Sequence, residues 1–248
     1  MRYYEYGKRN KTVIVLLHGG GLSWWNYKEI AAGLEKQFHV ILPVLDGHAG
    51  SDRPFTTIEN NADEIIQFID ENFQGHVLLM GGLSLGAQIL VDILAKRKDI
   101  CEYTIIESCL AKPQKIIRTL IGPSVSISYG LIAKKWFAKL QFKSLKMKED
   151  LFDDYYRDSC AIEKQDMIHF LQANAEFSVK TSLKQVSAKA IVVVGGKEKK
   201  IMKQSARILA DLISDAKLHI CKGYYHGQLS INHPKEYVQL IQKLIYNE

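Results

Sequence analysis

Hydrophobic positions along the chain fall into short continuous runs that alternate with longer amphipathic segments. Continuous runs rich in leucine and β-branched residues are typical of strands buried on both faces, because the helices that connect parallel strands cover both sides of the sheet. The pattern therefore predicts an α/β fold with a doubly wound, mostly parallel sheet. Strands are predicted at 12–18, 39–45, 76–82, 103–108, 190–196 and 217–223, and helices at 26–37, 58–73, 85–98, 204–214 and 234–247.

The alternation stops between residues 112 and 185, where the apolar spacing is helical. Strands on both sides of this segment are needed to complete one sheet, so the segment is predicted to be an insertion and not a separate domain. We expect one domain, in which residues 1–111 and 186–248 form the core and residues 112–185 form a helical cap inserted between late strands.

Composition leaves this picture unchanged. The chain has 248 residues, of which 47% are hydrophobic and 24% charged, as is ordinary for a globular protein. No signal-peptide pattern opens the chain, and the longest uncharged stretch, residues 72–91, is broken by polar residues and glycines. We therefore expect a cytoplasmic protein without a membrane span. The four cysteines form no C-x-x-C pair, so neither a disulfide framework nor a metal site is predicted.

The net charge of +6 includes a concentration of lysines in residues 132–148. Apolar residues recur between these lysines at helical spacing, which favours a solvated helix face; a docking patch for a membrane or an acidic substrate is the alternative. Lysines elsewhere are dispersed, and we expect a small-molecule substrate as partner and no nucleic acid.

The segment "VLLMGGLSLGAQILV" places Ser84 in a G-x-S-x-G motif between a predicted strand and a predicted helix. Glycines two residues to either side let strand and helix approach closely, and the tight turn exposes the hydroxyl at the carboxyl end of the sheet. The motif in this context predicts a nucleophile; a glycine-flanked helix cap is the alternative.

A second glycine-rich segment, His18-Gly19-Gly20-Gly21, follows the first predicted strand. Acyl transfer needs two N–H donors directed at an oxyanion, and the residue after the nucleophile, Leu85, is expected to supply one of them. The other is expected from Gly20 or Gly21, in a loop without side chains. His18 and Trp24, before and after this loop, are expected to line the substrate pocket; an ordinary core position is the alternative for Trp24.

A serine hydroxyl needs a base near neutral pKa, and His226 is the histidine predicted for this role. It lies in "CKGYYHGQLS", after the last predicted strand and beside a glycine, whereas the other histidines fall in strands, in the cap or next to a proline. The acid should follow the next-to-last strand, where Glu198 is the candidate; Glu107, at the end of the preceding strand, is the alternative.

These motifs together resemble the α/β-hydrolase superfamily, in particular capped carboxylesterases and C–C hydrolases of the small serine hydrolase type. The resemblance is carried by HGGG at 18–21, LDGHAGSD at 45–52, GLSLG at 82–86, GGKE at 195–198 and YYHG at 224–227. It implies that Asp46 and His48 organise the rim of the site and do not react, with Ala49 standing where the family has glycine; a structural turn is the alternative for these two residues.

The sequence thus predicts a serine hydrolase that forms an acyl-enzyme from a small carboxylic ester or thioester and needs no cofactor. Two alternatives stay open. One is an enzyme of the same fold that acts on a C–C bond or a lactone or transfers the acyl group elsewhere, and the other is a signalling protein that binds a ligand in the capped pocket.

Overall fold

A sheet of seven strands forms the centre of the protein in the computed structural model, which describes residues 1–246. The strands are β1 (Tyr3–Tyr6), β2 (Val13–Leu17), β3 (His39–Pro43), β4 (Val77–Leu83), β5 (Cys101–Glu107), β6 (Lys189–Gly195) and β7 (Ala216–Cys221). Their order across the sheet is β1-β3-β2-β4-β5-β6-β7. Every neighbouring pair is parallel except β1 with β3. The predicted doubly wound, mostly parallel sheet is confirmed.

Strand β1 was not predicted from the sequence. It pairs antiparallel with β3 at the edge of the sheet, and its residues are half-buried or exposed. An edge strand of this kind buries too little apolar surface to produce the continuous hydrophobic run that marks the inner strands.

Helices cover both faces of the sheet, over two separate apolar clusters. A short helix after the last strand, Gln228–Asn232, was not predicted, and the end of the predicted last helix at residue 247 lies outside the described residues. The helices that belong to the core are α1 (Lys28–Leu34), α2 (Ile58–Phe73), α3 (Leu85–Lys96), α8 (Lys200–Leu212), α9 (Gln228–Asn232) and α10 (Pro234–Tyr246).

Four further helices lie between β5 and β6, in the segment predicted as a cap. Side chains from the last two of them bond to the core: Asp158 accepts from Trp25 Nε1 at 2.7 Å, and Asp166 accepts from Phe55 N at 2.8 Å. Within residues 1–246, no helix has both the length and the apolarity to cross a bilayer. The inserted helices are α4 (Lys115–Ile132), α5 (Lys135–Leu145), α6 (Phe152–Ala161) and α7 (Lys164–Glu176).

Candidate active site

Ser84 occupies the tight turn between β4 and α3, with φ 53° and ψ −110°. A non-glycine residue in such a conformation costs roughly 1–3 kcal/mol and persists only where its surroundings enforce it. Those surroundings need glycine: a Cβ on Gly82 would lie 2.6 Å from Gly86 O, and a Cβ on Gly86 would lie 2.3 Å from Leu17 O. The strand–serine–helix turn that the motif predicts is present, and Ser84 is partly exposed on it.

The glycine loop after β2 lies against the first residue of α3. A Cβ added to Gly20 would lie 3.4 Å from Leu85 Cβ, so the two backbones are neighbours. Gly21 N donates to His48 Nε2 at 3.0 Å, whereas Gly20 N donates no hydrogen bond within residues 1–246. Leu85 begins a helix, where N–H groups lack partners inside the helix. Of the two glycines that the sequence left open, Gly20 is therefore the one with an available N–H.

His226 is hydrogen-bonded to Glu198, with 2.7 Å between Nδ1 and Oε2. The other carboxylate oxygen, Oε1, accepts from Gly195 N and from Ser108 Oγ, each at 2.8 Å. Burial alone would raise the pKa of Glu198, but the hydrogen bonds from His226, Gly195 and Ser108 outweigh it and hold the pKa below its ordinary value. Glu198 is thus ionised and accepts the proton on Nδ1 of His226, which leaves Nε2 as the acceptor nitrogen of the neutral ring.

Ser108 joins the acid to the histidine loop, and sequence reasoning missed it. It directly follows β5 and is buried; its hydroxyl donates to Glu198 Oε1 and accepts from Gly227 N at 3.2 Å. Its φ of 53° equals that of Ser84. The only sequence signal was its place at the end of a predicted strand, which puts it at the carboxyl end of the sheet, as Ser84 is.

Glu107, the alternative acid, has a different environment. Its carboxyl is fully buried, Oε1 accepts from Ser230 N at 3.3 Å, and Oε2 has no hydrogen-bond partner among the residues that the structure describes. Burial raises the pKa of Glu107 to about 7. The structure pairs His226 with Glu198 and leaves the Glu107 side chain beneath the site.

Leu83, the residue before Ser84, contacts both flanking loops. A Cβ on Gly19 would lie 3.3 Å from the Leu83 side chain, and a Cβ on Gly227 would lie 3.0 Å from it. The loop that carries Gly20 and the loop that carries His226 therefore approach Ser84 across one apolar side chain.

His18 and His48 support the glycine loop from inside the protein. Nε2 of His18 accepts from Leu45 N at 3.1 Å, and Nδ1 donates to Gly19 O at 2.9 Å. Burial, with His48 nearby, lowers the pKa of His18 to about 3, and burial lowers that of His48 to about 4, so both rings are neutral at physiological pH.

The predicted pocket residues have structural contacts of their own. Both ring nitrogens of His18 are bonded to the backbone, as described above, and the ring of Trp24 stacks on Tyr4 with 4.1 Å between centroids. Asp46 and His48 are bonded to each other, since Nδ1 of His48 donates to Asp46 O at 2.9 Å; their place at the rim of a site stays a prediction. A substrate-pocket role for Trp24 or His18 stays a prediction.

Solved structures share this fold along almost the whole chain. A thermophilic esterase from Thermogutta terrifontis is 19% identical with a TM-score of 0.79, covering 99% of this chain and 93% of that one. The enol-lactonase from Burkholderia xenovorans LB400 is 18% identical with a TM-score of 0.82, covering 99% and 96%. An esterase from Exiguobacterium antarcticum is 14% identical with a TM-score of 0.83, covering 98% and 94%. At these identities the likeness concerns the fold.

The sequence itself matches a family model across the core and the insertion alike. The matched residues are 14–240, and the family is described as the alpha/beta hydrolase family. The match spans the glycine loop, the Ser84 turn, Glu198 and His226 together. The chain belongs to the alpha/beta hydrolase family.

Proposed function

We propose that the protein is a serine hydrolase that cleaves a small carboxylic ester or thioester through an acyl-enzyme. The observation that carries this proposal is the pair formed by the buried carboxylate of Glu198 and the exposed ring of His226, at the carboxyl end of the sheet where a strained turn exposes Ser84. A carboxylate that fixes Nδ1–H of an imidazole is the arrangement that turns the histidine into a base for a serine hydroxyl.

Acylation follows from these positions. Nε2 of His226 removes the proton of Ser84 Oγ as the oxygen attacks the substrate carbonyl, and negative charge develops on the carbonyl oxygen. The N–H groups of Gly20 and Leu85 stabilise that charge, since neither donates a hydrogen bond within residues 1–246 and the two residues are neighbours, with Leu85 directly after the serine. The imidazolium then gives its proton to the leaving alcohol or thiol.

Deacylation repeats the same steps with water as the nucleophile. His226 removes a proton from water, the resulting hydroxide attacks the acyl-Ser84 carbonyl, and the proton returns to Ser84 Oγ as the carboxylic acid leaves. Glu198 stays ionised and stabilises the imidazolium in both halves. Each step uses protein groups and water, and the proposal invokes no metal or organic cofactor.

Labelling with a fluorophosphonate probe tests the nucleophile. We expect covalent labelling of the wild-type chain and none of Ser84→Ala, because the probe reacts with an activated serine hydroxyl. Turnover of a chain-length series of p-nitrophenyl esters and thioesters then tests the reaction. An unlabelled wild-type protein would contradict the proposal and favour the ligand-binding alternative.

The same labelling rate distinguishes the two candidate acids. Glu198→Gln should slow labelling by about 10³-fold or more, since the amide can hold the wrong tautomer of His226. Glu107→Gln is the matched control: it makes the same chemical change in an adjacent buried carboxyl that does not bond the histidine. Slow labelling of Glu107→Gln with normal labelling of Glu198→Gln would reverse the assignment.

A further inference from the structure

Helices α4 and α5 expose an unusual share of large apolar side chains. Eight of the thirteen exposed large hydrophobic residues in the described part of the chain lie between residues 116 and 145. We call them, with the cations between them, the α4–α5 surface. Its apolar members are Ile116, Ile117, Leu120, Ile127, Leu131, Trp136, Leu140 and Leu145.

The exposed residues of α4 form one stripe along the helix. Successive members of this stripe are four, seven and four residues apart, intervals that place them on one side of a helix: Ile116, Leu120, Ile127 and Leu131. Ile127 is 83% exposed. The opposite side carries Val125, which is buried. An apolar stripe that faces away from the protein has no partner inside the fold, and a solvated polar face does not account for it.

The cations of α5 form a row that runs beside a row of its exposed apolar residues. Lys135, Lys139 and Lys143 recur every four residues, and Trp136 and Leu140 each directly follow one of these lysines. Trp136 is 63% and Leu140 62% exposed. Lysine beside tryptophan and leucine on a short helix is typical of segments that lie in a membrane interface.

The charge of this region is of one sign only. Residues 108–148 contain nine lysines and arginines and no aspartate or glutamate, whereas the remaining 24 cations are outnumbered by the 27 acidic residues. Seven of the nine form no ion pair within residues 1–246; three of these seven have Nζ about 6 Å from the centroid of an aromatic ring, Lys135 and Lys139 at Phe152 and Lys146 at Tyr225. Those seven are Lys112, Lys115, Lys134, Lys135, Lys139, Lys143 and Lys146.

We propose that the α4–α5 surface docks on a lipid bilayer that carries anionic headgroups. Lysines bind the headgroups while isoleucine, leucine and tryptophan enter the boundary with the acyl chains, so both halves of the surface gain a partner. A second copy of this chain would bring two all-cationic surfaces together. A nucleic acid would contact the lysines but leave the aliphatic stripe in water.

Docking would also bring the loop of His226 close to the bilayer. The carbonyl of Lys146, just after α5, accepts from Gln228 Nε2 at 3.0 Å and from Asn232 Nδ2 at 2.7 Å. Both donors belong to α9, which begins two residues after His226. This part of the inference rests on the proposed function: an active site held close to a bilayer favours acyl substrates that partition into it. The docking itself requires no catalytic activity.

Binding to vesicles tests the docking with the full chain. We expect flotation with vesicles of phosphatidylglycerol mixed into phosphatidylcholine, little with phosphatidylcholine alone, weakening at high salt, and a blue shift of tryptophan emission that Trp136→Phe abolishes. The triple variant Lys135→Glu, Lys139→Glu, Lys143→Glu should bind roughly a hundredfold more weakly. Ile127→Ser with Leu140→Ser should also weaken binding, by about tenfold.

The matched control reverses three exposed lysines elsewhere, Lys36→Glu, Lys98→Glu and Lys235→Glu, and should bind as the wild type does. No flotation of the wild type at low salt would overturn the proposal. So would equal loss in the control triple, because net charge alone would then explain binding. Vesicle binding that survives the two serine substitutions, together with equal binding of single-stranded DNA, would indicate a general polyanion surface. A dimer that Leu140→Ser abolishes would indicate that a second copy of the chain covers the surface.

Esterase activity is measured separately on soluble substrates, so failure of docking and failure of the proposed function are distinguishable.

Discussion

Two serines with the same strained φ of 53°, Ser84 and Ser108, end neighbouring parallel strands of this protein. Each conformation costs roughly 1–3 kcal/mol, so each has to be enforced by contacts. At Ser84 the enforcing contact is a backbone bond from its N–H to Glu107 O at 2.9 Å, and at Ser108 a bond from its N–H to Val193 O at 2.9 Å. The strain at Ser84 exposes the hydroxyl, whereas the strain at Ser108 directs it inward to Glu198.

Loss of the Ser108 hydroxyl should therefore impair catalysis, although this hydroxyl contacts none of the reacting atoms. We expect Ser108→Gly to lower kcat for a p-nitrophenyl ester by about tenfold or more with KM nearly unchanged, because Glu198 and the loop of His226 lose their shared hydrogen-bond partner. Steady-state kinetics measure the two constants separately.

A second substitution separates the hydroxyl from the strain. Glycine relieves the positive φ and alanine retains it, but both remove the hydroxyl. Ser108→Ala and Ser108→Gly should thus show similar losses of kcat while differing in stability. Wild-type kcat in either variant would show that Ser108 does not position the acid.

The sequence predicted site residues where a motif constrains the local backbone. Ser84 and its glycines are marked by the turn they form, and His226 and Glu198 follow the ends of predicted strands. Ser108 is different, because its role comes from β5 lying beside β6 in the sheet, a pairing across the whole insertion. Nothing within a few residues of Ser108 carries that information. The choice between Gly20 and Gly21 likewise depended on a distant ring, His48.

At the scale of the elements, the close approach of α3 to β2 depends on Gly86. A Cβ there would lie 2.3 Å from Leu17 O and 2.4 Å from His18 O, which are backbone atoms at the end of β2 and not the ends of flexible side chains. We expect Gly86→Ala to lower the free energy of unfolding by roughly 2–3 kcal/mol, as overpacking does. Denaturant titration followed by circular dichroism measures it.

Gly130 gives the matched control. It lies in helix α4, where a Cβ would meet nothing within 4 Å. Gly130→Ala should raise the free energy of unfolding by up to about 1 kcal/mol, because alanine loses less backbone entropy in a helix. Equal stability of the two alanine variants would contradict the packing account.

Elements were predictable in proportion to the apolar surface they bury. Strands β2 to β6 are almost wholly buried and gave continuous hydrophobic runs, and β7 was found although it is largely exposed, because it resumes the alternation. The edge strand β1 and the short helix α9 gave no such signal, since each is defined by its neighbours and not by its own pattern.

At the scale of the whole molecule, the stability of the protein should depend on pH in two opposite ways, one set by a buried carboxyl and the other by two buried histidines. The pKa of Glu107 is about 7 in the folded state against 4.5 ordinarily, so the folded state binds more protons in that window and stability falls as pH rises through it. His18 and His48 have lowered pKa values, about 3 and about 4 against 6.5, so stability falls as pH drops below 6.5.

Glu107→Gln isolates the first of these effects. The variant should become more stable relative to the wild type as pH rises from 4.5 to 7, by up to about 3 kcal/mol in the free energy of unfolding, because the amide carries no charge to bury. Denaturant titrations of both proteins at a series of pH values measure the difference. A difference that stays constant across this window would show that the Glu107 pKa is not raised.

The position of Leu83 bears on how the substrate preference of such a site can change in evolution. Its side chain lies between the glycine loop and the loop of His226, so under the proposed function the spacing of these loops around Ser84 depends on the volume of an apolar residue that takes no part in the chemistry. Replacement by a larger or smaller aliphatic residue would shift both loops relative to Ser84 while every reacting group is retained. One spacer position thus provides a route to altered substrate preference that leaves the catalytic residues themselves intact.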